Sequence, residues 1–196
     1  MFIDAPEESA ATGDVAEWYK AQRDSWGYLP NYAYAFANRT DIAEAWNTLN
    51  NAIRHNMDRR RYEIATIAAA REYRSTYCTA AHSKFLRDQC GDESTMRVIA
   101  ADPSATGLDD TDRAVVAFAA QVARDASSVT ADDVDQLRAK GLTDKDVMDI
   151  VLAAAARAFF TKVLDGLGVQ ADVELGDVFD PDVRSQVTVG RPIADS

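Results

Sequence analysis

The sequence contains only two cysteines and two histidines among its 196 residues. Two cysteines do not make a disulfide framework, so we expect a reducing compartment and a cytoplasmic protein. Basic residues are also few. The 21 Lys and Arg are outnumbered by 32 Asp and Glu, which gives a formal net charge of -11. A nucleic-acid surface needs clustered cations that displace counterions, so we expect no nucleic-acid partner.

Long apolar runs are missing as well. The most apolar run, residues 150–160, is interrupted by Arg157 and falls well short of the ~20 residues that a bilayer-crossing helix needs, so we expect no membrane association. The first ten residues, MFIDAPEESA, are acidic and lack the basic and apolar regions of a signal peptide, so none is expected. No run of alternating apolar and polar residues indicates a β-sheet.

Helix signals recur along the chain. Apolar residues follow Thr40 at four-residue intervals, which predicts a helix that Thr40 caps. Asp58 is the predicted N-cap of the next helix. Gly91 is the glycine predicted to follow the end of the helix after that. Thr130 and Thr143 each begin an acidic variant of the capping box. Together these signals predict an all-α fold of roughly seven to nine helices.

Cys78 and His82 lie four residues apart, and on a helix such a pair shares one face with Cβ atoms roughly 5–6 Å apart. A thiol reacts as its thiolate, so a nucleophilic cysteine needs a base, a cation or a helix N-terminus beside it. His82 is the candidate base, Arg74 the candidate cation, and Ser75 or Thr76 the candidate N-cap. The alternative is a buried structural cysteine beside a histidine that bonds to a backbone carbonyl.

Glu63 is the candidate third member, which would hold or charge the imidazole. In one continuous helix Glu63 would lie about 22 Å from Cys78, so the chain must turn between Tyr73 and Tyr77 for these groups to meet. Cys90 would lie about 18 Å along the helix from Cys78, which is too far for a disulfide unless the helix breaks.

A metal site is not expected from this spacing. Glu63, Cys78 and His82 could supply three ligands, but structural zinc takes four protein ligands in a closed tetrahedron, and no fourth candidate lies at a recognisable spacing. His55 has no acidic or thiol neighbour at ligand spacing, so we expect it at the surface.

Glu63, Ser75, Cys78 and His82 match a known motif, in which Glu, eleven residues, Cys, two residues, Cys, three residues and His follow one another. Ser75 stands where the motif has its first Cys. On these residues, and on residues 27–36, 43–53 and 150–165, the chain resembles the alkylhydroperoxidase D-like / carboxymuconolactone decarboxylase family, most of all its peroxidase-related branch. The resemblance covers most of the chain. It implies an alkylhydroperoxidase D-like helical bundle with a repeated helix pair, assembled as a homo-oligomer.

We therefore expect a single domain over residues 1–196, with a mobile arm at 1–13 and a C-terminal tail at 169–196 that could wrap a neighbouring subunit. Residues 63–71, EIATIAAAR, align without gaps to residues 149–157, DIVLAAAAR, which fits a duplicated helix pair, although alanine-rich helices also match by chance. The second copy has no Cys or His, so Asp149 would correspond to Glu63 only as scaffold. Lys162 lies where a polar group could face the site.

The resemblance implies a thiol-dependent, peroxidase-like oxidoreductase acting on a small-molecule peroxide. Cys78 would be the nucleophile, His82 would take its proton, and Glu63 would relay or orient; no organic cofactor is implied. Because Ser75 cannot resolve a disulfide, oxidised Cys78 would need Cys90, a second subunit or an external thiol reductant.

The aromatic run at residues 26–36 lies near the active-site mouth in the family. The resemblance therefore implies that Tyr28 and Tyr32, with Tyr77 and Ser75 of the motif, contact the substrate; core packing is the alternative for these tyrosines.

Two other functions stay open. One is decarboxylase-like proton transfer on a small carboxylated ring compound, in which His82 and Glu63 act and Cys78 only packs. The other is a non-catalytic oligomeric member of the family.

Overall fold

A computed structural model describes residues 1–102 and 104–195, and this part of the chain is all-α without strands. Its helices are α1 (Gly13–Trp26), α2 (Asn31–Phe36), α3 (Thr40–His55), α4 (Arg59–Glu72), α5 (Thr76–Cys90), α6 (Glu93–Ala101), α7 (Asp110–Asp125), α8 (Ala131–Ala139), α9 (Asp144–Gly166), α10 (Val173–Asp177) and α11 (Pro181–Val187). The predicted fold class is confirmed. The helices outnumber the prediction because α2, α10 and α11 are too short to show a clear apolar period.

Helix α4 forms the centre of the bundle. Every residue from Tyr62 to Ala70 is buried, including the polar Glu63 and Thr66, as expected for a helix that other helices surround. Its alanines let α5, α7 and α9 pack closely around it, while Ile64 and Ile67 are fully buried and each stabilise the fold by about 1.5–3 kcal/mol. The two aligned segments lie in α4 and α9, which pack against each other.

The chain turns between α4 and α5, which is the condition for Glu63 to approach Cys78 and His82. Arg74 adopts a left-handed conformation with φ of 56°, and the Ser75 N–H donates to Ala70 O at 2.9 Å. Gly190 of the C-terminal tail packs on this turn, where an added Cβ would lie 1.8 Å from Arg74 O. Only glycine therefore fits at position 190, and the tail covers the turn that separates the two motif helices.

Most predicted helix caps form. Two do not. Ser75 occupies the N-cap position of α5, but its side chain makes no capping hydrogen bond. Thr40 is the first residue of α3, and Arg39 occupies the N-cap position without a side-chain cap. The cause is the 3-10 turn at Ala37–Arg39, which runs directly into the helix. The predicted caps that form are the side chains of Asp58, Thr130 and Thr143 and the left-handed Gly91.

Both termini lie against the bundle. The Phe2 N–H donates to Leu167 O at 2.8 Å, and the Tyr19 hydroxyl donates to Pro6 O at 2.8 Å. The tail contains α10 and α11, which pack on α5 and α6. Three expectations stay predictions: the mobility of the arm, the contact of the tail with a second subunit, and the single domain. The last residue of that domain, Ser196, lies outside the described range. No helix among the described residues has the length and apolar character needed to span a membrane.

Candidate active site

A cavity of about 550 Å³ opens between the N-terminal helices α1 to α3 and the helices α4, α5, α9 and α10. Its volume is in the range that holds a small organic molecule. The three side chains on which the motif depends, Glu63, Cys78 and His82, all line it. The turn between α4 and α5 therefore brings these three predicted residues to one place.

Glu63 and His82 form a buried pair across α4 and α5. The imidazole Nδ1 lies 2.5 Å from Glu63 Oε2, and Glu63 is fully buried while His82 is 7% exposed. Arg59 Nε donates to the other carboxylate oxygen at 2.6 Å. Burial lowers the pKa of His82, with the Glu63 charge opposing the shift. His82 is therefore neutral at pH 7, and a hydrogen bond from Nδ1–H to Glu63 leaves Nε2 able to take a proton.

Cys78 lies in the first turn of α5, and only 2% of its surface is exposed. Burial raises the pKa of the Cys78 thiol, and the nearby Arg157 guanidinium opposes this shift. Desolvation therefore outweighs the cation, and this geometry gives no support to an activated resting thiol. Arg74, the predicted cation, instead donates to Val189 O at the tail.

Arg157 supplies the cation that the sequence analysis missed. It is 4% exposed, and its NH1 lies 3.8 Å from Cys78 Sγ. Its NH2 donates to Asn50 Oδ1 at 3.1 Å, and the guanidinium lies 5.3 Å from the centre of the Trp46 ring. The sequence feature that could have identified Arg157 is its position as a single arginine within the otherwise apolar residues 150–160. Lys162, the predicted polar residue of α9, instead lies over the Tyr73 ring.

Three tyrosines predicted to contact substrate, Tyr28, Tyr32 and Tyr77, line the cavity. Asp172 of the tail fixes two of them, accepting a hydrogen bond from the Tyr77 hydroxyl at 2.5 Å and from the Tyr28 hydroxyl at 3.1 Å. Asp172 is 2% exposed, and burial raises its pKa. The sequence analysis missed Asp172 because nothing in the tail pattern places it beside the motif.

A scan against protein-family models and a search of curated proteins give no match. Solved structures do match. A peroxidase-related protein from Ralstonia eutropha JMP134, described as an alkylhydroperoxidase AhpD core, aligns with a TM-score of 0.79 and 22% identity over 89% of this chain and 93% of that one. This chain has the AhpD-like fold. A peroxidase-related protein from Silicibacter sp. TM1040 aligns with a TM-score of 0.75 and 19% identity, covering 88% of this chain and 93% of its own.

A solved structure of a debrominase also aligns with this chain. A cysteine-to-alanine variant of the debrominase Bmp8, solved in complex with 2,3,4-tribromopyrrole, aligns with a TM-score of 0.67 and 14% identity over 95% of this chain and 96% of that one.

Ser75 does not line the cavity, unlike the three tyrosines. It is fully buried at the N-cap position of α5. The predicted contact of Ser75 with substrate has no support in this geometry.

The remaining cysteine and histidine, Cys90 and His55, are not among the residues that line the cavity. Helix α5 runs unbroken from Thr76 to Cys90, so Cys78 and Cys90 are separated by almost its whole length, and both are free thiols. His55 is exposed at the end of α3, as predicted. Among residues 1–102 and 104–195, no cluster of three or more His, Cys, Asp or Glu side chains is placed to hold a metal ion.

Proposed function

We propose that this protein belongs to the peroxidase-related branch of the AhpD-like proteins and acts as a single-cysteine, thiol-dependent oxidoreductase. The observation that carries the proposal is the pair formed by His82 and Glu63, 2.5 Å apart, on the wall of a cavity that Cys78 also lines. A neutral imidazole held by a carboxylate is a general base, and it lies one helical turn from the only sulfur in the cavity lining.

The resting site holds a neutral thiol and a neutral imidazole, so proton transfer must accompany attack. His82 Nε2 takes the Cys78 proton as sulfur attacks the terminal oxygen of a hydroperoxide. A sulfur–oxygen bond forms, the oxygen–oxygen bond breaks, and the departing alkoxide takes a proton from the imidazolium. Cys78 becomes a sulfenic acid and the peroxide becomes an alcohol. Glu63 stabilises the transient imidazolium, and Arg157 stabilises the anionic sulfur.

Recycling of the sulfenic acid requires an external thiol. A first thiol attacks the oxidised sulfur, releases water and leaves a mixed disulfide on Cys78. A second thiol attacks that disulfide and releases the free cysteine. Ser75 cannot take this role, and Cys90 lies at the far end of α5.

A second candidate substrate is a halogenated aromatic ring. The cavity, at about 550 Å³, is much larger than hydrogen peroxide requires, and eight aromatic side chains contribute to its lining. The similarity to the debrominase supports this option at the level of fold. Cys78 sulfur would attack the halogen and break the carbon–halogen bond, and the ring carbon would take the proton held by His82. An external thiol would then attack the halogenated sulfur, releasing halide and leaving a mixed disulfide that a second thiol resolves. Substitution of Cys78 and His82 therefore tests this option as well.

The test is consumption of cumene hydroperoxide by the purified protein with excess dithiothreitol. Cys78→Ser should abolish consumption, and Cys90→Ser should retain it. Mass spectrometry after peroxide and dimedone should find the sulfenic acid adduct on Cys78 alone. Consumption that survives Cys78→Ser would refute the proposal.

Two further outcomes identify the alternatives. Activity on a carboxylated lactone that Cys78→Ser spares and His82→Gln removes would indicate the proton-transfer enzyme. No turnover of peroxide, brominated pyrrole or lactone by the wild-type protein would indicate a non-catalytic member of the fold.

A further inference from the structure

The cavity carries a charge opposite to that of the chain. The chain has a formal net charge of -11, yet four cationic side chains line the cavity, Arg54, Arg59, Lys84 and Arg157, against two acidic ones, Glu63 and Glu174. Arg59 pairs with Glu63 at 2.6 Å and Lys84 with Asp88 at 2.7 Å. In the described part of the chain, Arg54 and Arg157 have no carboxylate partner. With Glu174 counted against them, these two arginines leave an excess of one positive charge in the cavity lining.

The imbalance is most costly at Arg157, which is 4% exposed. Its polar neighbours are uncharged: the Asn50 amide at 3.1 Å, the Tyr62 hydroxyl at 3.4 Å and the Cys78 thiol. Its Nε is buried without a hydrogen-bond partner in the described structure. Burial of an unpaired charge costs several kcal/mol, and the stacked rings of Trp46 and Phe160 under the guanidinium offset only part of it.

Helix α3 adds polar groups beside Arg157. Asn47, Asn50, Asn51 and Arg54 recur at the i, i+3, i+4 and i+7 spacing of one helix face, and all four line the cavity. The Arg54 guanidinium donates only to the Asn51 amide oxygen, at 2.9 Å. This face therefore supplies amide and guanidinium donors and no acid.

One part of the cavity lining is an aromatic wall. Trp26, Tyr32 and Phe85 pack edge-on or tilted at centroid distances of 5.5 to 6.2 Å. Such a wall accepts a flat, unsaturated body by burying its apolar area and by ring contacts. The cavity lining thus combines cationic and amide groups with an aromatic wall, and Cys78 lines the same cavity.

We propose that the substrate is an organic anion with a flat unsaturated body, whose charged group pairs with Arg157 and Arg54 while its body lies against the aromatic wall. The inference rests on the proposed function for the chemistry at Cys78, and it selects a charged aromatic substrate over hydrogen peroxide or a neutral alkyl hydroperoxide. The Arg157 fork has five N–H donors, so it can hold a carboxylate and still contact the Cys78 sulfur.

The experiment compares benzoate with benzamide, an uncharged molecule of the same shape. Binding is followed through tryptophan fluorescence, because Trp26 and Trp46 line the cavity. Benzoate should bind the wild-type protein at least tenfold more tightly than benzamide. Arg157→Met should remove this preference, Arg54→Gln should reduce it by less, and Arg39→Gln should leave it unchanged, because Arg39 is an exposed residue paired with Asp41.

Equal binding of benzoate and benzamide to the wild-type protein would overturn the inference, and so would a preference that survives in a folded Arg157→Met variant. If circular dichroism shows that Arg157→Met is unfolded, Arg157→Lys replaces it and should keep part of the preference, since it keeps charge but loses the bidentate fork.

The two proposals fail separately. Cys78→Ser removes the reactive sulfur but should still prefer benzoate, so the anion site can stand without the peroxidase activity. A wild-type protein that reduces peroxide through Cys78 but does not prefer benzoate would keep the proposed function and refute the anion site.

Discussion

The two aligned helix segments, residues 63–71 in α4 and 149–157 in α9, share their residue types but exchange the roles of their end residues. Each begins with an acid and ends with an arginine. In α4 the acid faces the cavity, where Glu63 contacts His82, and Arg71 donates to the backbone of the tail at Gln186 O. In α9 the acid is outside the cavity, where Asp149 pairs with Lys145, and Arg157 reaches Cys78.

The difference indicates that the two aligned segments share their packing residues and differ in which end residue reaches the cavity. The alanines between the ends do the same work in both copies, since they let helices approach closely around α4. Which end reaches the cavity depends on where each helix enters the bundle. The acid of one copy and the arginine of the other therefore combine into one site around one sulfur.

The largest effect is expected from removing the charge of Glu63, the acid that begins the aligned segment in α4. Glu63→Gln should lower kcat/KM for peroxide reduction by about a hundredfold or more, because the imidazole loses the carboxylate that orients it and stabilises its charge. Asp149→Asn, the matched change in the second copy, should alter kcat/KM by less than about twofold. Equal losses in the two variants would contradict the exchange of roles.

The next effect concerns the dependence of rate on pH. Burial lowers the pKa of His82 below its ordinary value of 6.5 and raises that of Cys78 above 9.0. Between these values the site stays a neutral thiol beside a neutral base, so kcat/KM should be flat from about pH 7 to about pH 8.5 and fall as His82 gains a proton in more acid solution.

The matched variant for this profile is His82→Gln, which removes the base. Its slower reaction should depend on the small thiolate fraction and rise about tenfold per pH unit up to the pKa of Cys78. A wild-type profile with that same rise would show that His82 is not the base.

The smallest effect is expected from replacing Arg157, the arginine that ends the aligned segment in α9. Arg157→Met should move the pH midpoint of Cys78 alkylation by iodoacetamide upward by about 1 unit, because the guanidinium no longer opposes the effect of burial. Arg71→Met, the matched change in the first copy, should leave the midpoint unchanged. A downward shift in Arg157→Met would contradict the assigned role of this cation.

The sequence was sufficient where spacing along a helix decides the outcome. The all-α fold follows from apolar periodicity and caps, and the meeting of Glu63, Cys78 and His82 follows from the motif once the chain turns at Arg74. The roles of these residues in a reaction remain predictions.

Tertiary packing decides what the sequence could not show. Arg157 lies 79 residues after Cys78, and Asp172 lies 95 residues after Tyr77, so no local pattern links them to the motif. The same holds for the protonation of Cys78. The spacing of the motif indicates a neighbouring base, whereas the cation Arg157 and the desolvation that raises the thiol pKa arise only when the surrounding helices close over the thiol.

The depth of Cys78 limits what could regenerate it. With 2% of the residue exposed, its sulfur is reached by way of the cavity, which is wide enough for a small organic molecule and too narrow for a folded domain. A bulky redox protein would be stopped at the entrance by size alone. A slender thiol of low molecular weight could enter after the alcohol leaves, so the supply of such metabolites in the cell would set the pace of repeated turnover.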